Sequence, residues 1–258
     1  MGDSVQQPVL LEEFEGVLVI TLNRPEVRNA ANAALSRAVS RALDGFESDA
    51  NLHVAILTGA GRSFCAGMDL KAFGDGEFSA TGDHNFIGIT HRVLAKPVIA
   101  AVEGYAVAGG LEAVLACDLV VAARDARFGI SEVRRGLAAG AGGLYRLPRK
   151  IPINIAMEMA LTGEPIDAVR AAQLGLVNHV TEPGDALKLA RSIAAMIAAN
   201  APLAVRASKH MVVAQQDLTL AQAEQAQRKI SESMMASDDA REGAAAFVEK
   251  RSARWRGR

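Results

Sequence analysis

Residues 97–123 read Pro97-Val-Ile-Ala-Ala-Val102-Glu-Gly104-Tyr-Ala-Val-Ala-Gly109-Gly-Leu-Glu112-Ala-Val-Leu-Ala-Cys117-Asp-Leu119-Val-Val-Ala-Ala123. Two short apolar runs, Pro97–Val102 and Leu119–Ala123, flank a segment of helical character, Gly109–Cys117. Unbroken apolar runs of this length fit strands buried on both faces, as when helices cover a sheet. A helix between two such strands predicts an α/β chain with right-handed crossovers.

The same grammar extends outward. Val17–Leu22 and His53–Thr58 read as strands, and Gly175–Val180 as a weaker one. Residues 31–47 carry apolar side chains at helical spacing. Asp167–Leu174 reads as a helix closed by Gly175. Beyond residue 184 the strand pattern stops, and 184–200, 203–213, 218–236 and 240–254 all read as helices. Pro183 and Pro202 punctuate the change. The expected division is a core over residues 1–195 and a helical region over residues 196–258 that docks on the core or on a neighbouring subunit.

Composition excludes several classes. The chain has 258 residues, is 50% hydrophobic and 22% charged, and has a net charge of −1. That is neither the low hydrophobicity nor the strong charge of a disordered chain. With 28 Lys+Arg against 29 Asp+Glu and no basic stripe, nucleic acid is not an expected partner. Cys65 and Cys117 make neither a disulfide framework nor a zinc site and suggest a reducing compartment. The five histidines are scattered, so no metal site is expected. Residues 1–16 are polar and acidic without a leader pattern, and no uncharged apolar run reaches about 18 residues. The expectation is a cytoplasmic protein with no membrane partner.

Two glycine-rich stretches invite a nucleotide reading and fail it. Gly104–Gly110 lacks the Lys and Ser/Thr of a phosphate loop, and Gly140–Tyr145 lacks the third glycine of a dinucleotide fingerprint. Gly109 and Gly110 precede a helix whose N-terminal N–H groups suit an anion, including a developing oxyanion. Close packing of helix on strand explains the same glycines. Ser63–Lys71 is a second small-residue turn after a strand and could supply another N–H.

Two glutamates stand out. Glu112 lies among Ala, Val, Leu and Gly, and Glu132 follows Arg127-Phe-Gly-Ile-Ser131. Carboxyls in apolar settings have raised pKa values suited to proton transfer near neutrality. Glu112 could equally serve the helix dipole. For Glu132, spacing alone favours a surface ion pair with Arg134 or Arg135.

Seven segments together resemble the crotonase (enoyl-CoA hydratase/isomerase) superfamily. They are Asn23–Ala30, Phe64–Lys71, Lys96–Gly104, Ala108–Glu112, Phe128–Glu132, Leu161–Gly163 and Ala246–Arg251, in family order and spanning nearly the whole chain. The tail from Glu242 to Arg258 resembles the carnitinyl-CoA dehydratase branch. The resemblance implies a crotonase-like spiral of β-β-α turns with a helical C-terminal trimerisation region, and a homotrimer or a hexamer built as a dimer of trimers.

It also implies a chemistry. An acyl-CoA is held with its thioester oxygen in an oxyanion hole formed by the N–H groups of Met68 and Gly109. Glu112 deprotonates water for attack at Cβ, and Glu132 delivers a proton to Cα; the roles reverse for dehydration. Arg24 and Arg28 are expected near where CoA enters. Ala66, Asp69, Leu70 and Lys71 are expected along the adenine and pantetheine side. Phe247 and Lys250 are expected to reach CoA from the C-terminal region. No separate cofactor is implied, because CoA is part of the substrate. The same scaffold also supports enoyl-CoA isomerases, acyl-CoA hydrolases and non-catalytic CoA-binding proteins. Arg134 and Arg135 depart from the family pattern, which is often apolar there. The stretch 73–88, where members vary to shape the acyl pocket, gives no chain length.

Overall fold

The computed structural model describes residues 7–77 and 86–258. The central part of the acyl-pocket stretch therefore lies outside the described residues, as do the first six residues.

Among the described residues six strands form the main sheet: β1 (Val9–Phe14), β2 (Val17–Leu22), β3 (Val54–Gly59), β4 (Val98–Val102), β6 (Leu119–Ala123) and β9 (His179–Thr181), in the order β1-β2-β3-β4-β6-β9. Only β1 and β2 are antiparallel, joined through Glu15 and Gly16, both at positive φ. That is the backbone a tight two-residue hairpin demands. The remaining neighbours pair in parallel.

The apolar runs follow from what covers each face. Leu18, Ile20 and Leu22 of β2, Ala55 and Leu57 of β3, and Val98, Ala100 and Val102 of β4 join the main core with α1 (Ala33–Ser48). The alternate residues Val17, Val19, Val54, Ile56, Ile99, Ala101 and Val121 face α7 (Ala186–Ala198). Helix α7 presents Ala186, Ala190, Ile193 and Ala194, a spacing that lays one stripe on the sheet. Both faces are thus apolar, and the strands read as unbroken runs rather than alternations.

A second layer turns the crossovers into a spiral. Short strands β5 (Tyr105–Val107), β7 (Arg127–Gly129) and β8 (Ile166–Asp167) make a three-stranded sheet. Isolated parallel bridges extend the layer, Ala31 to Met68 and Cys65 to Ala106. Each turn therefore runs from a main-sheet strand through a short second-layer segment into a helix or 3-10 turn. The chain from β4 through β5 to α3 (Gly109–Leu115) is one such turn. The next runs through β6 and β7 to the 3-10 turn Glu132–Arg135. This is the β-β-α spiral that the resemblance implied.

Further on come α4 (Gly143–Lys150), α5 (Ile153–Thr162) and α6 (Ala168–Gln173). Asp167 caps α6 by accepting from Arg170 N, and Gly175 follows at φ +86° as the helix ends. The expected strand 175–180 forms only over His179–Thr181. The C-terminal helices are α8 (Pro202–Ala214), α9 (Leu220–Met235) and α10 (Asp238–Glu249). The final residues fold back, with Arg256 N and Gly257 N donating to the buried Asp239 carboxylate. Among the described residues no helix is long and apolar enough to cross a membrane.

Candidate active site

A cleft of about 550 Å³ opens where β5 gives way to α3. One wall comes from the small-residue turn with Ala66, Met68 and Leu70; the opposite wall comes from the segment 131–141. Val107, Ala108, Gly109 and Glu112 form its floor.

The backbone at the floor is built for close approach. Ala108 sits at φ +50° and ψ −129°, a strained conformation for a residue with a side chain, held in part by its N–H donating to Gly129 O at 2.8 Å. Gly67 has φ +95°, and a Cβ there would meet Ala108 Cβ at 2.9 Å and lie 3.4 Å from Gly109 N. Gly67 is glycine because the two turns abut. A Cβ on Gly109 would press into the Phe86 ring. Among the described residues the N–H groups of Met68 and Gly109 donate to nothing. The two expected oxyanion donors therefore lie, without an acceptor among the described residues, on turns that touch.

Glu112, in the first turn of α3, is 3% exposed. Its Oε1 accepts from Ala141 N at 2.7 Å and Gly143 N at 2.8 Å. Burial raises its pKa, opposed by those two N–H bonds and by the charges of Arg146 and His91. Arg146 also pins the accepting loop, donating to Ala141 O at 3.2 Å and Thr90 O at 2.5 Å. Residues 140–143, which failed as a dinucleotide loop, thus serve as the cradle of a carboxylate. The residue types alone pointed to a tight turn but not to what it holds.

Glu132 opens the 3-10 turn on the opposite wall. Its Oε2 is buried without a hydrogen-bond partner among the described residues. Burial and, behind it, the Glu112 carboxylate push its pKa up to about 7. The surface ion pair favoured by spacing does not form. Arg134 instead pairs with Glu164 and donates from Nε to Thr162 O at 3.2 Å. Arg135 Nη1 donates to Arg134 O at 3.1 Å. Glu132 lines the cleft, and the bonds of both guanidiniums go to other groups.

The remaining expected site residues divide. Ala66 and Leu70 line the cleft with Met68. Arg24, Arg28, Asp69 and Lys71 flank this wall without lining the cleft. Arg24 Nη1 donates to Asp69 Oδ2 at 2.9 Å and to Ala30 O at 2.6 Å. Asp69 caps α2 (Leu70–Gly74) through the N–H groups of Lys71 and Ala72. Arg28 sits at φ +54° with its guanidinium over the Tyr105 ring. Phe247 is 86% exposed, and it and Lys250 stand at the end of α10, apart from this cleft.

The sequence matches the enoyl-CoA hydratase/isomerase family over residues 12–258. The chain belongs to that family. An enoyl-CoA hydratase from Mycobacterium marinum is 53% identical, with a TM-score of 0.95 over 98% of this chain and 100% of that one. Carnitinyl-CoA dehydratase of Proteus mirabilis is 41% identical over 98% of this chain and 100% of its own. The (E)-benzylidenesuccinyl-CoA hydratase of Thauera aromatica is 40% identical over 97% and 99%. The branch suggested by the C-terminal tail is thus represented among the relatives, beside a hydratase of different acyl specificity at similar identity. In this member of the enoyl-CoA hydratase/isomerase family, one cleft is lined by Glu112 and Glu132 together with Met68 and Gly109, whose N–H groups have no acceptor among the described residues.

Proposed function

We propose that this chain is an enoyl-CoA hydratase or 3-hydroxyacyl-CoA dehydratase, a hydro-lyase adding or removing water across Cα–Cβ of an acyl-CoA thioester. The observation that carries this reading is that Glu112 and Glu132 line one cleft with Met68 and Gly109, whose N–H groups are unpaired among the described residues. The relatives named hydratases and dehydratases support the same reaction class.

In hydration, the thioester oxygen accepts from the Met68 and Gly109 N–H groups. These donors stabilise the negative charge that develops there as the enolate forms, each worth roughly 10²–10³ in rate. Glu112 takes a proton from water while the water oxygen bonds Cβ. Glu132 gives its proton to Cα, and the enolate electrons return to form the Cα–H bond. Both carboxyls act from one cleft, and addition is syn. A Glu132 pKa near 7 suits the donor, because a large fraction carries the proton at neutrality. Glu112, anchored through Oε1, keeps its carboxylate oriented for the base role. Dehydration runs the same steps in reverse.

CoA is held as part of the substrate. The wall carrying Ala66 and Leu70, with Arg28, Asp69 and Lys71 beside it and Arg24 bracing Asp69, is assigned to its pantetheine and nucleotide portion. Phe247 and Lys250 stand away from their own cleft, and exposed apolar side chains of the C-terminal helices accompany them, including Leu220, Met235 and Val248. These features support residues 196–258 as an assembly region of a trimer or hexamer, with α10 reaching a neighbour's cleft.

The test is product identification from a 2-enoyl-CoA. A mass gain of one water supports hydratase activity. An unchanged mass with a moved double bond indicates isomerase, free CoA indicates hydrolase, and binding without turnover removes the enzymatic reading.

A further inference from the structure

In a 3-10 turn, side chains three residues apart stack on one face. Glu132 and Arg135 are related in this way, and both line the cleft. Arg134 lines it too, but its charge is already met by Glu164 and its Nε by Thr162 O. Arg135 has no carboxylate partner among the described residues; its Nη1 meets only the Arg134 carbonyl. The other cleft charges are accounted for: Glu112 Oε1 takes two N–H groups, and Glu132 holds its proton up to about neutrality. Among the described residues Arg135 is left as a cation on the cleft wall without a carboxylate partner.

The position of that cation in the cleft follows from the reaction geometry. The thioester carbonyl faces the wall of Met68 and Gly109, and Cα and Cβ face the two glutamates. Arg135, Leu137 and Ala138 line the same cleft as Glu132, so acyl atoms beyond Cβ that run along this side come within reach of Arg135. A guanidinium there offers a planar fork of donors matched to a carboxylate.

We propose that Arg135 is a specificity-determining residue that receives a carboxylate carried on the acyl group beyond Cβ. The substrate class is then an enoyl-CoA, or its hydrated counterpart, with an anionic acyl end. This inference rests on the hydratase reading for the placement of the acyl chain.

The test compares kcat/KM on 2,3-dehydroadipyl-CoA and trans-2-hexenoyl-CoA, which share a carbon chain and differ in a terminal carboxylate. Wild-type protein, Arg135→Leu and Arg135→Lys are measured on both. The wild type is expected to favour the carboxylate substrate. Arg135→Leu is expected to lower the ratio of the two kcat/KM values by roughly 10- to 100-fold, with Arg135→Lys between them. The ratio cancels any general loss of folding or chemistry. An unchanged ratio overturns the proposal, including the case in which both substrates lose equally because Arg135 meets a CoA phosphate.

If the wild type adds water to neither substrate, the hydratase reading fails separately. Calorimetric affinities for the saturated pair adipyl-CoA and hexanoyl-CoA then decide on Arg135 by the same ratio.

Discussion

Glu112 and Glu132 lie one spiral turn apart in the chain and line the same cleft, so that burial and then the Glu112 charge push the Glu132 carboxyl up to about 7. A proton donor is lost as pH rises through its pKa. The expected kcat/KM for hydration therefore declines about tenfold per pH unit above about 7, and falls again at acid pH as the base Glu112, its pKa raised by burial, takes up a proton. Glu132→Gln is expected to be roughly 10²–10⁴ slower and to lack the alkaline decline. A pH–rate profile of both proteins checks it, and a wild-type profile with no break near neutrality contradicts the donor role.

The same carboxyl affects stability. Its native pKa lies above the usual 4.5, so the folded chain holds the proton more tightly than the unfolded one. That contribution is fully present below pH 4.5 and is lost as pH rises through about 7. Above that pH the ionised group is enclosed without a partner for Oε2 among the described residues. Glu132→Gln is expected to be more stable than wild type there by on the order of 1 kcal/mol, a value reduced for partial solvent screening. Below pH 4.5 ionisation should make no difference. Urea melts at acid and alkaline pH measure both limits.

The sequence revealed the elements with the strongest burial. Val17–Leu22 and Leu119–Ala123 form strands over the expected residues because helices cover both faces and make all but Thr21 apolar. Strand β1 was hidden, since as an exposed edge it carries Leu-Leu-Glu-Glu rather than an apolar pattern. β5 and β7 span three residues each, too few for a periodicity to show. The site was legible as residue types but not as distances. Glu112 and Glu132 are brought together by one turn of the spiral, and no local pattern encodes that closure. Arg134 was misread because Glu164, its partner, arrives from the far end of α5.

Adjacent glycines of α3 should respond differently to the same methyl group. On Gly110 a Cβ would collide with the Cys65 backbone carbonyl, which the Cys65–Ala106 bridge holds in place. Gly110→Ala is expected to destabilise by about 1–3 kcal/mol. On Gly109 the collision is with the Phe86 side chain, which can turn at the expense of the cleft it lines. Gly109→Ala is expected to retain more stability and to lose about 10²–10³ in kcat, as when an oxyanion donor is displaced. Thermal melts beside single-substrate kinetics separate the two; equal melting losses with intact kcat in Gly109→Ala would remove Gly109 from the oxyanion role.

Arg24, expected near where CoA enters, donates from its guanidinium to Asp69 at 2.9 Å and to Ala30 O at 2.6 Å. Burial alone would raise the Asp69 pKa, but the bond from Arg24, with those from Ala72 N and Lys71 N, holds it below the usual range. Asp69 in turn starts α2 immediately after Met68, one of the two assigned oxyanion donors. Arg24 is therefore expected to act through this turn. Arg24→Met and Asp69→Asn should each lower kcat, and the double variant should lose little more than either alone, a coupling of about 0.5–3 kcal/mol for groups in one network. A cation that met CoA phosphate directly would behave otherwise: Arg24→Met alone would raise KM, in a salt-dependent manner, and its effect would add to that of Asp69→Asn. Steady-state kinetics of the four proteins at two ionic strengths distinguishes the cases, and additive, salt-sensitive KM effects would return Arg24 to the CoA surface.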